Sequence, residues 1–346
     1  MRAALLSRTG GPDALDLVDL DPPRPGPGEV LVQVAACGVC GHDQADRAGL
    51  LDIPLPTVLG HEISGVVVET GAGVTRLVPG DRVAGKQFAT CGRCEPCTTG
   101  DELRCPEKAF TYGGYAEYAV LRETSLLAVP PEVDLVAASV VACAVGTGLQ
   151  ALRGRAGLRP GETALVTGAG GGLGLHGVQV AAALDARVVA LTGDAGKADR
   201  LRELGADEVV VARDEAWRAV LEVTGGHGAD VVLDIMGAKY LARNLEVLAT
   251  NGRLVVIGRL GGSTAELDLA KLMSKRAAVL GTLLRPRPVA EKAAIVASVR
   301  EHVWPLVARG TVRPVIHARW PLAEVAEAHR TMEASTHVGK LLLTVT

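Results

Sequence analysis

Leu165-Val166-Thr167 ends a short apolar run, and Gly168-Ala169-Gly170-Gly171-Gly172-Leu173-Gly174 follows at once, before a second apolar stretch. Glycine clusters are usually plain turns. This one sits between a predicted strand (163–167) and a predicted helix (173–184), and a further strand is expected over 187–192. In that context glycines let backbone N–H groups at a helix N-terminus approach a pyrophosphate, with no side chain in the way. Gly168, Gly170, Gly171, Gly172, Leu173 and Gly174 are therefore candidate dinucleotide contacts. The alternation continues: strands over 208–211, 229–235 and 253–257, helices over 197–204 and 240–248. Strands and helices in alternation, with continuously apolar strands, predict a doubly wound parallel α/β sheet. The rhythm before residue 128 is different. Short alternating strands, Val30 to Ala36 and Ile63 to Glu69 the clearest, are broken by Pro22-Pro23 and Pro25-Gly26-Pro27-Gly28. After about Met273 come a strand over 279–284, a long helix over 289–307 and a strand over 340–345. With 346 residues the chain has room for two domains.

Choice of dinucleotide turns on the end of the second strand. An acidic residue there would hold a ribose 2′-hydroxyl. Here Thr192 takes that position, followed by Gly193-Asp194, with Lys197 and Arg200 just beyond. A small residue and nearby cations suit a 2′-phosphate, so the sequence favours NADP(H). Against this, Asp194 can serve NAD(H), and Lys197 and Arg200 can be solvated helix faces.

Cysteine placement carries the second signal. Cys91, Cys94, Cys97 and Cys105 form C-x2-C-x2-C-x7-C. Four thiolates from one segment can close a tetrahedral shell around zinc, a structural site without a vacant position. Free buried cysteines are the plainer alternative, disfavoured by the spacing and by Gly92 and Pro96. Cys40, His61 and Cys143 are dispersed, and each alone reads as core filler. If they meet, two thiolates and one imidazole leave a fourth position open, as a catalytic zinc requires.

The net charge of −3, with acids and bases mixed, offers no phosphate track, which argues against nucleic acid as a partner. No cleavage pattern marks Met1 to Gly10, and no apolar stretch free of charge and glycine is long enough to span a bilayer. A cytoplasmic protein with no membrane partner is expected.

Taken together, GVCGHD (38–43), GHE (60–62), PGDRV (79–83), the four-cysteine segment (91–105), GGYAEY (113–118), the glycine turn and HVGKLLL (337–343) resemble the medium-chain dehydrogenase/reductase superfamily, zinc-containing alcohol dehydrogenase branch. The resemblance covers nearly the whole chain. It implies a β-rich GroES-like catalytic domain over 1–127, carrying the 91–105 zinc lobe, a Rossmann domain over 128–277, and a catalytic continuation over 278–346. It implies that Cys40, His61 and Cys143 match the catalytic zinc ligands, giving two zinc ions per chain with the four-cysteine site. Glu62 matches a carboxylate that can approach the metal, and Asp43 one that orients the ligand histidine. Thr147 matches a residue near the nicotinamide, and Ile257, Gly258 and Lys340 are assigned with it to the cofactor site. Cys37 is expected to be core filler.

Two departures stand out. His42 replaces the Ser or Thr whose hydroxyl relays the alcohol proton; an imidazole can relay protons near neutral pH. The C-terminal half, with GTLLRPRP (281–288), looks more like quinone oxidoreductases, which lack zinc and reduce activated C=C bonds with NADPH. The expected activity is hydride transfer between nicotinamide and a small alcohol or carbonyl. The alternatives are an enone-type reductase, similar to acryloyl-CoA reductases, and a non-enzymatic dinucleotide-binding protein. A homodimer or homotetramer is expected, with the 279–284 strand near a sheet edge.

Overall fold

The computed structural model describes residues 1–86, 94–95, 113–282 and 298–345. Three of the four clustered cysteines, Cys91, Cys97 and Cys105, lie outside them; Cys94 is described and half-buried. The expected zinc lobe therefore falls largely outside the described residues, as does the first half of the helix expected over 289–307; its second half is helical, over Val299–Val303 and Trp304–Ala308. The chain divides into two units, Met1–Cys143 with Arg285–Ala308 and Ile316–Thr346, and Ala144–Leu284 with Arg309–Val315.

The second unit is built on a six-stranded, all-parallel sheet of Thr163–Thr167, Arg187–Thr192, Glu208–Val211, Ala229–Asp234, Leu248–Val256 and Ala278–Gly281. Numbered in chain order, these run 3-2-1-4-5-6 across the sheet. That order reverses between the first and fourth strands, and the crevice at such a reversal is where open α/β sheets bind nucleotides. Every residue of Thr163–Thr167 is buried, as expected for a strand covered on both faces. Ala278–Gly281 pairs with Arg253–Val256, so it belongs to this sheet and forms its edge.

The first unit is largely antiparallel. Glu29–Val39 is its spine, pairing with Glu62–Thr70, Tyr118–Arg122 and Lys340–Thr344. Arg82–Lys86 and Leu126–Ala128 extend the sheet on one side, and Ile316–Pro321 on the other. Val30, Val32, Val34, Ile63, Leu341 and Leu343 share one buried core. Arg2–Leu6 and Leu15–Asp19 pair antiparallel. The helix Val325–Ala334 was also not anticipated. Its inward residues Val325, Ala328, His329 and Met332 follow the i, i+3, i+4, i+7 spacing. Leu135–Arg155 is one helix long and apolar enough to cross a membrane by length and composition, but most of it is buried within the protein, as core helices are.

Candidate metal centre and dinucleotide turn

Cys40 ends the extended backbone after Glu29–Val39 and caps the short helix Gly41–Arg47. Helix N-termini leave backbone N–H groups without intrahelical partners. Here Asp43 reaches back to accept from the Cys40 N–H at 2.9 Å, and the Cys40 thiol accepts from the Asp43 N–H. The other Asp43 oxygen accepts from the Gly60 N–H at 3.2 Å and lies 3.1 Å from His61 Nδ1. One buried carboxylate thus ties together the two segments that carry Cys40 and His61.

Gly60 precedes His61 with φ +91°, a conformation that favours glycine. A side-chain carbon there would also collide with the Tyr115 ring and come within 2.8 Å of Cys37 Sγ. Glu62 opens the strand Glu62–Thr70. Cys143 sits in a π-helical turn, Val141–Val145, within the long helix. Such turns widen a helix locally and often occur where a side chain must be presented to a site.

These elements bring Cys40, His61, Glu62 and Cys143 together, with one ligand atom from each and all four within 4.8 Å of one another. Cys143 Sγ lies 4.0 Å from His61 Nε2. A tetrahedral zinc with ordinary bond lengths would set sulfur–nitrogen and sulfur–sulfur separations of about 3.6–3.8 Å. The donor set fits zinc in kind and in spacing. His61 Nδ1 is held by Asp43, which leaves Nε2 facing Cys143, the arrangement that ligand imidazoles require.

The electrostatics run the same way. A hydrogen bond with Cys143 is the largest influence on Cys40 and, against burial, holds its thiol well below the usual range, toward the thiolate that binds metals. Burial disfavours the charged form of Asp43, but His61 outweighs it and the carboxyl falls to about 2. Burial pushes Glu62 up to about 7, with Lys340 opposing. Lys340 Nζ donates to Glu62 Oε1 at 2.7 Å, both side chains being buried. Glu62 Oε2 is buried without a hydrogen-bond partner among the described residues, which is the state of an oxygen that a cation could satisfy. Lys340 was expected at the cofactor. The register of Lys340–Thr344 against Glu29–Val39 brings Lys340 to Glu62, where a buried carboxylate needs a counter-charge. His42 is exposed, with Nδ1 4.0 Å from Cys40 Sγ and its ring edge-on to His61 at 6.1 Å between centroids.

In the second unit the glycine turn leads from Thr163–Thr167 into the helix Gly172–Ala183, with Gly171 at its N-cap. A Cβ at Gly174 would lie 2.7 Å from Ala169 Cα and collide with the Gly168 carbonyl, so the turn closes on the helix only with glycine there. Thr192 and Lys197 flank Gly170: a Cβ on residue 170 would lie 2.6 Å from Lys197 Cδ and 3.0 Å from Thr192 Oγ1. Both side chains are buried. Asp194 is taken up locally, its carboxylate accepting from the Gly196 N–H at 2.8 Å. Thr147 is half-buried in Gly146–Leu149. The N–H groups of Ile257 and Gly258 both reach the Asp234 carbonyl, at 2.8 and 3.3 Å.

Asp234 itself was missed by sequence reasoning. It ends the fourth strand and accepts from the Thr167 hydroxyl at 2.8 Å and from the Met236 and Gly237 N–H groups at 3.0 and 3.1 Å. Thr167 ends the first strand, so this pair joins the two strand ends that border the reversal point. An acidic residue closing an apolar strand was the only sequence sign of it.

A parallel 3-2-1-4-5-6 sheet with a glycine turn into a helix defines a Rossmann-type dinucleotide-binding scaffold. Comparison with known proteins makes the class specific. Residues 26–131 match the alcohol dehydrogenase GroES-like domain and residues 204–343 the zinc-binding dehydrogenase family. The acryloyl-coenzyme A reductase of Metallosphaera sedula is 34% identical, over 97% of this chain and 98% of its own. The NAD-dependent alcohol dehydrogenase of Sulfolobus acidocaldarius is 32% identical, over the full length of both. The crystal structure of Escherichia coli quinone oxidoreductase complexed with NADPH superposes with a TM-score of 0.85 at 26% identity, covering all of both chains. The chain belongs to the medium-chain dehydrogenase/reductase superfamily and is an oxidoreductase with a GroES-like domain and a Rossmann-type parallel sheet. Family membership and the NADPH-complexed neighbour support pyridine-nucleotide binding.

Proposed function

We propose that the chain is a zinc-dependent alcohol dehydrogenase or carbonyl reductase that uses NADP(H) in preference to NAD(H). The observation that carries this reading is the convergence of Cys40, His61 and Cys143 within 4.8 Å, with Asp43 on the far nitrogen of the imidazole. Zinc in that set would polarise an alcohol or carbonyl oxygen, and the nicotinamide would take or give the hydride. Cys40, His61 and Cys143 would hold the ion, and Asp43 would fix the His61 ring. Glu62, held by Lys340, keeps one oxygen directed at the site. His42 is exposed beside Cys40 and would pass the substrate proton to solvent. Gly168–Gly174 would carry the pyrophosphate. Thr192 in the acidic position, with the buried Lys197 beside Gly170 and Asp194 occupied by its own turn, supports the 2′-phosphate. The domain division expected from the sequence, a catalytic domain from both chain ends with the Rossmann domain between, is part of this proposal, as is the second, structural zinc on Cys91, Cys94, Cys97 and Cys105.

A second reading is NADPH-dependent reduction of activated C=C bonds, favoured by the likeness to an acryloyl-coenzyme A reductase over almost the whole chain. Here hydride attacks an alkene carbon and metal assistance at the oxygen is optional. The Cys40→Ser variant separates the two. Purified without chelator, the wild type is expected to hold close to two zinc ions per chain and the variant close to one. The variant should keep NADPH binding and lose nearly all turnover of alcohols and aldehydes. Near-wild-type turnover with that site empty would refute the zinc-dependent reading. Wild-type reduction of enones with no activity on any aldehyde would establish the second.

A further inference from the structure

Behind the metal centre, the first unit contains a chain of buried polar groups that neither the ligand set nor the proton path uses. Arg47 ends the helix Gly41–Arg47 and is four residues from Asp43, so both project from one face of that helix. The side chain of Arg47 is only 1% exposed. A buried guanidinium is costly unless its donors are all engaged. Its Nε donates to His329 Nδ1 at 3.2 Å, and its two terminal nitrogens reach the Gly10 carbonyl and Glu333.

His329 and Glu333 both lie on Val325–Ala334, four residues apart on one face. Because Nδ1 of His329 accepts from Arg47, its proton sits on Nε2, which lies 3.3 Å from the Tyr115 hydroxyl. The two rings also meet edge-on at 5.8 Å between centroids. The fully buried Tyr115 ring then packs against Gly60, the residue before His61. The contacts close on themselves. Asp43 ties Cys40 to Gly60 and His61 on the inner side, while Arg47, His329 and Tyr115 tie the same helix to the same Gly60 on the outer side.

We propose that Arg47, His329 and Tyr115 form an outer brace that sets the separation of the Cys40 and His61 ligands and so governs how tightly this centre retains its metal. His329 is a positioning residue. It touches no ligand, and it acts by joining the helix that carries Cys40 and Asp43 to the ring that seats Gly60. Ligand geometry held from two sides loses less on metal binding to ordering of the free site; removing groups hydrogen-bonded to metal ligands typically costs about 10–100-fold in affinity, and a brace one contact further out is expected at the low end of that range.

The proposal rests on zinc being bound by Cys40, His61 and Cys143, and the test separates the two statements. Zinc release to a chromogenic chelator is followed for wild type, Cys40→Ser, Tyr115→Phe, His329→Leu and His329→Gln. If wild type and Cys40→Ser release the same amount of metal, zinc is not bound at this centre and the underlying reading fails. If they differ, the difference defines the pool to be timed. Tyr115→Phe removes one oxygen and keeps the ring, and His329→Leu removes both hydrogen bonds. Each should release that pool about 10-fold faster. His329→Gln should stay near wild type, because its amide can accept from Arg47 and donate to Tyr115. The melting temperature of the metal-stripped Tyr115→Phe protein should move little. Wild-type release rates in Tyr115→Phe and His329→Leu would overturn the brace. So would fast release in His329→Gln equal to that of His329→Leu, which would show that bulk and packing, not the hydrogen-bonded link, are what matter. Should His329→Leu not fold, Tyr115→Phe against wild type decides.

Discussion

Replacing Asp234 with Ala should destabilise the nucleotide-binding sheet more than any surface substitution, and the structure gives the size. The carboxylate satisfies three donors: the Thr167 hydroxyl and the N–H groups of Met236 and Gly237. The hydroxyl has a fallback in the Leu233 carbonyl at 3.5 Å, so its loss is the smallest of the three. The Gly237 N–H is buried and the Met236 N–H half-buried, and an unsatisfied buried donor costs about 1–3 kcal/mol. Asp234→Ala should therefore cost about 2–5 kcal/mol. Asp234→Asn keeps an oxygen for Thr167 and Met236 and sets an amide against the Gly237 N–H, for about 1–2 kcal/mol. Hydrogen exchange of the Thr163–Thr167 and Ala229–Asp234 amides reads this locally, without requiring the two units to unfold together. NADPH affinity should fall in the same order, because Thr167 precedes the glycine turn and the turn at Met236–Gly237 packs beside Ile257 and Gly258. Burial also holds the Asp234 carboxyl above its usual range. The folded protein keeps that proton where the unfolded chain has lost it. This contribution is present below about pH 3.9 and is lost as pH rises through the folded value. The Asn variant should lack that dependence. Protection in Asp234→Ala within about 0.5 kcal/mol of wild type, the usual range of an inert surface change, with unchanged NADPH binding, would refute this account.

Two further outcomes follow from groups in each unit. Lys197→Ala should weaken NADPH binding about 10-fold or more, the worth of a hydrogen bond to a charged group, and NADH binding far less; equal losses in titrations of both nucleotides would remove Lys197 from the phosphate site. Burial is the largest influence on His329, with Asp43 opposing and Arg47 assisting, and its imidazole is lowered to about 4. The unfolded chain takes up this proton first, so the stability is complete above about pH 6.5 and is lost as pH falls toward 4, by up to about 3 kcal/mol. His329→Gln should flatten the fall in denaturation midpoint between pH 7 and 4.5, and parallel profiles for the two proteins would contradict it.

How far the sequence reveals this molecule depends on whether a feature is local. The glycine turn is legible because strand, turn and helix lie within about twenty residues and Gly174 is required by backbone contacts made inside that span. Cys40, Asp43, His61 and Cys143 are a different case. Their spacing of 3, 18 and 82 residues carries no geometric information, and only the resemblance of whole motifs placed them together. The contact of Lys340 with Glu62 is of the same kind. The motif of Lys340 was recognisable, but its partner is fixed by strand register across 278 residues, and a register is set by packing of both sheet faces rather than by local sequence. The brace was invisible for the same reason. Arg47 is one charged residue in the sequence until Val325–Ala334 packs on it, and the helix that carries His329 was not anticipated. Both residues are buried and both keep polar partners. Apolar residues at the same two positions would fill the space without desolvating a guanidinium. What they would not supply is a directional link from the Cys40 helix to the Tyr115 ring, and that link is the part of the site that the ligand motif alone does not encode.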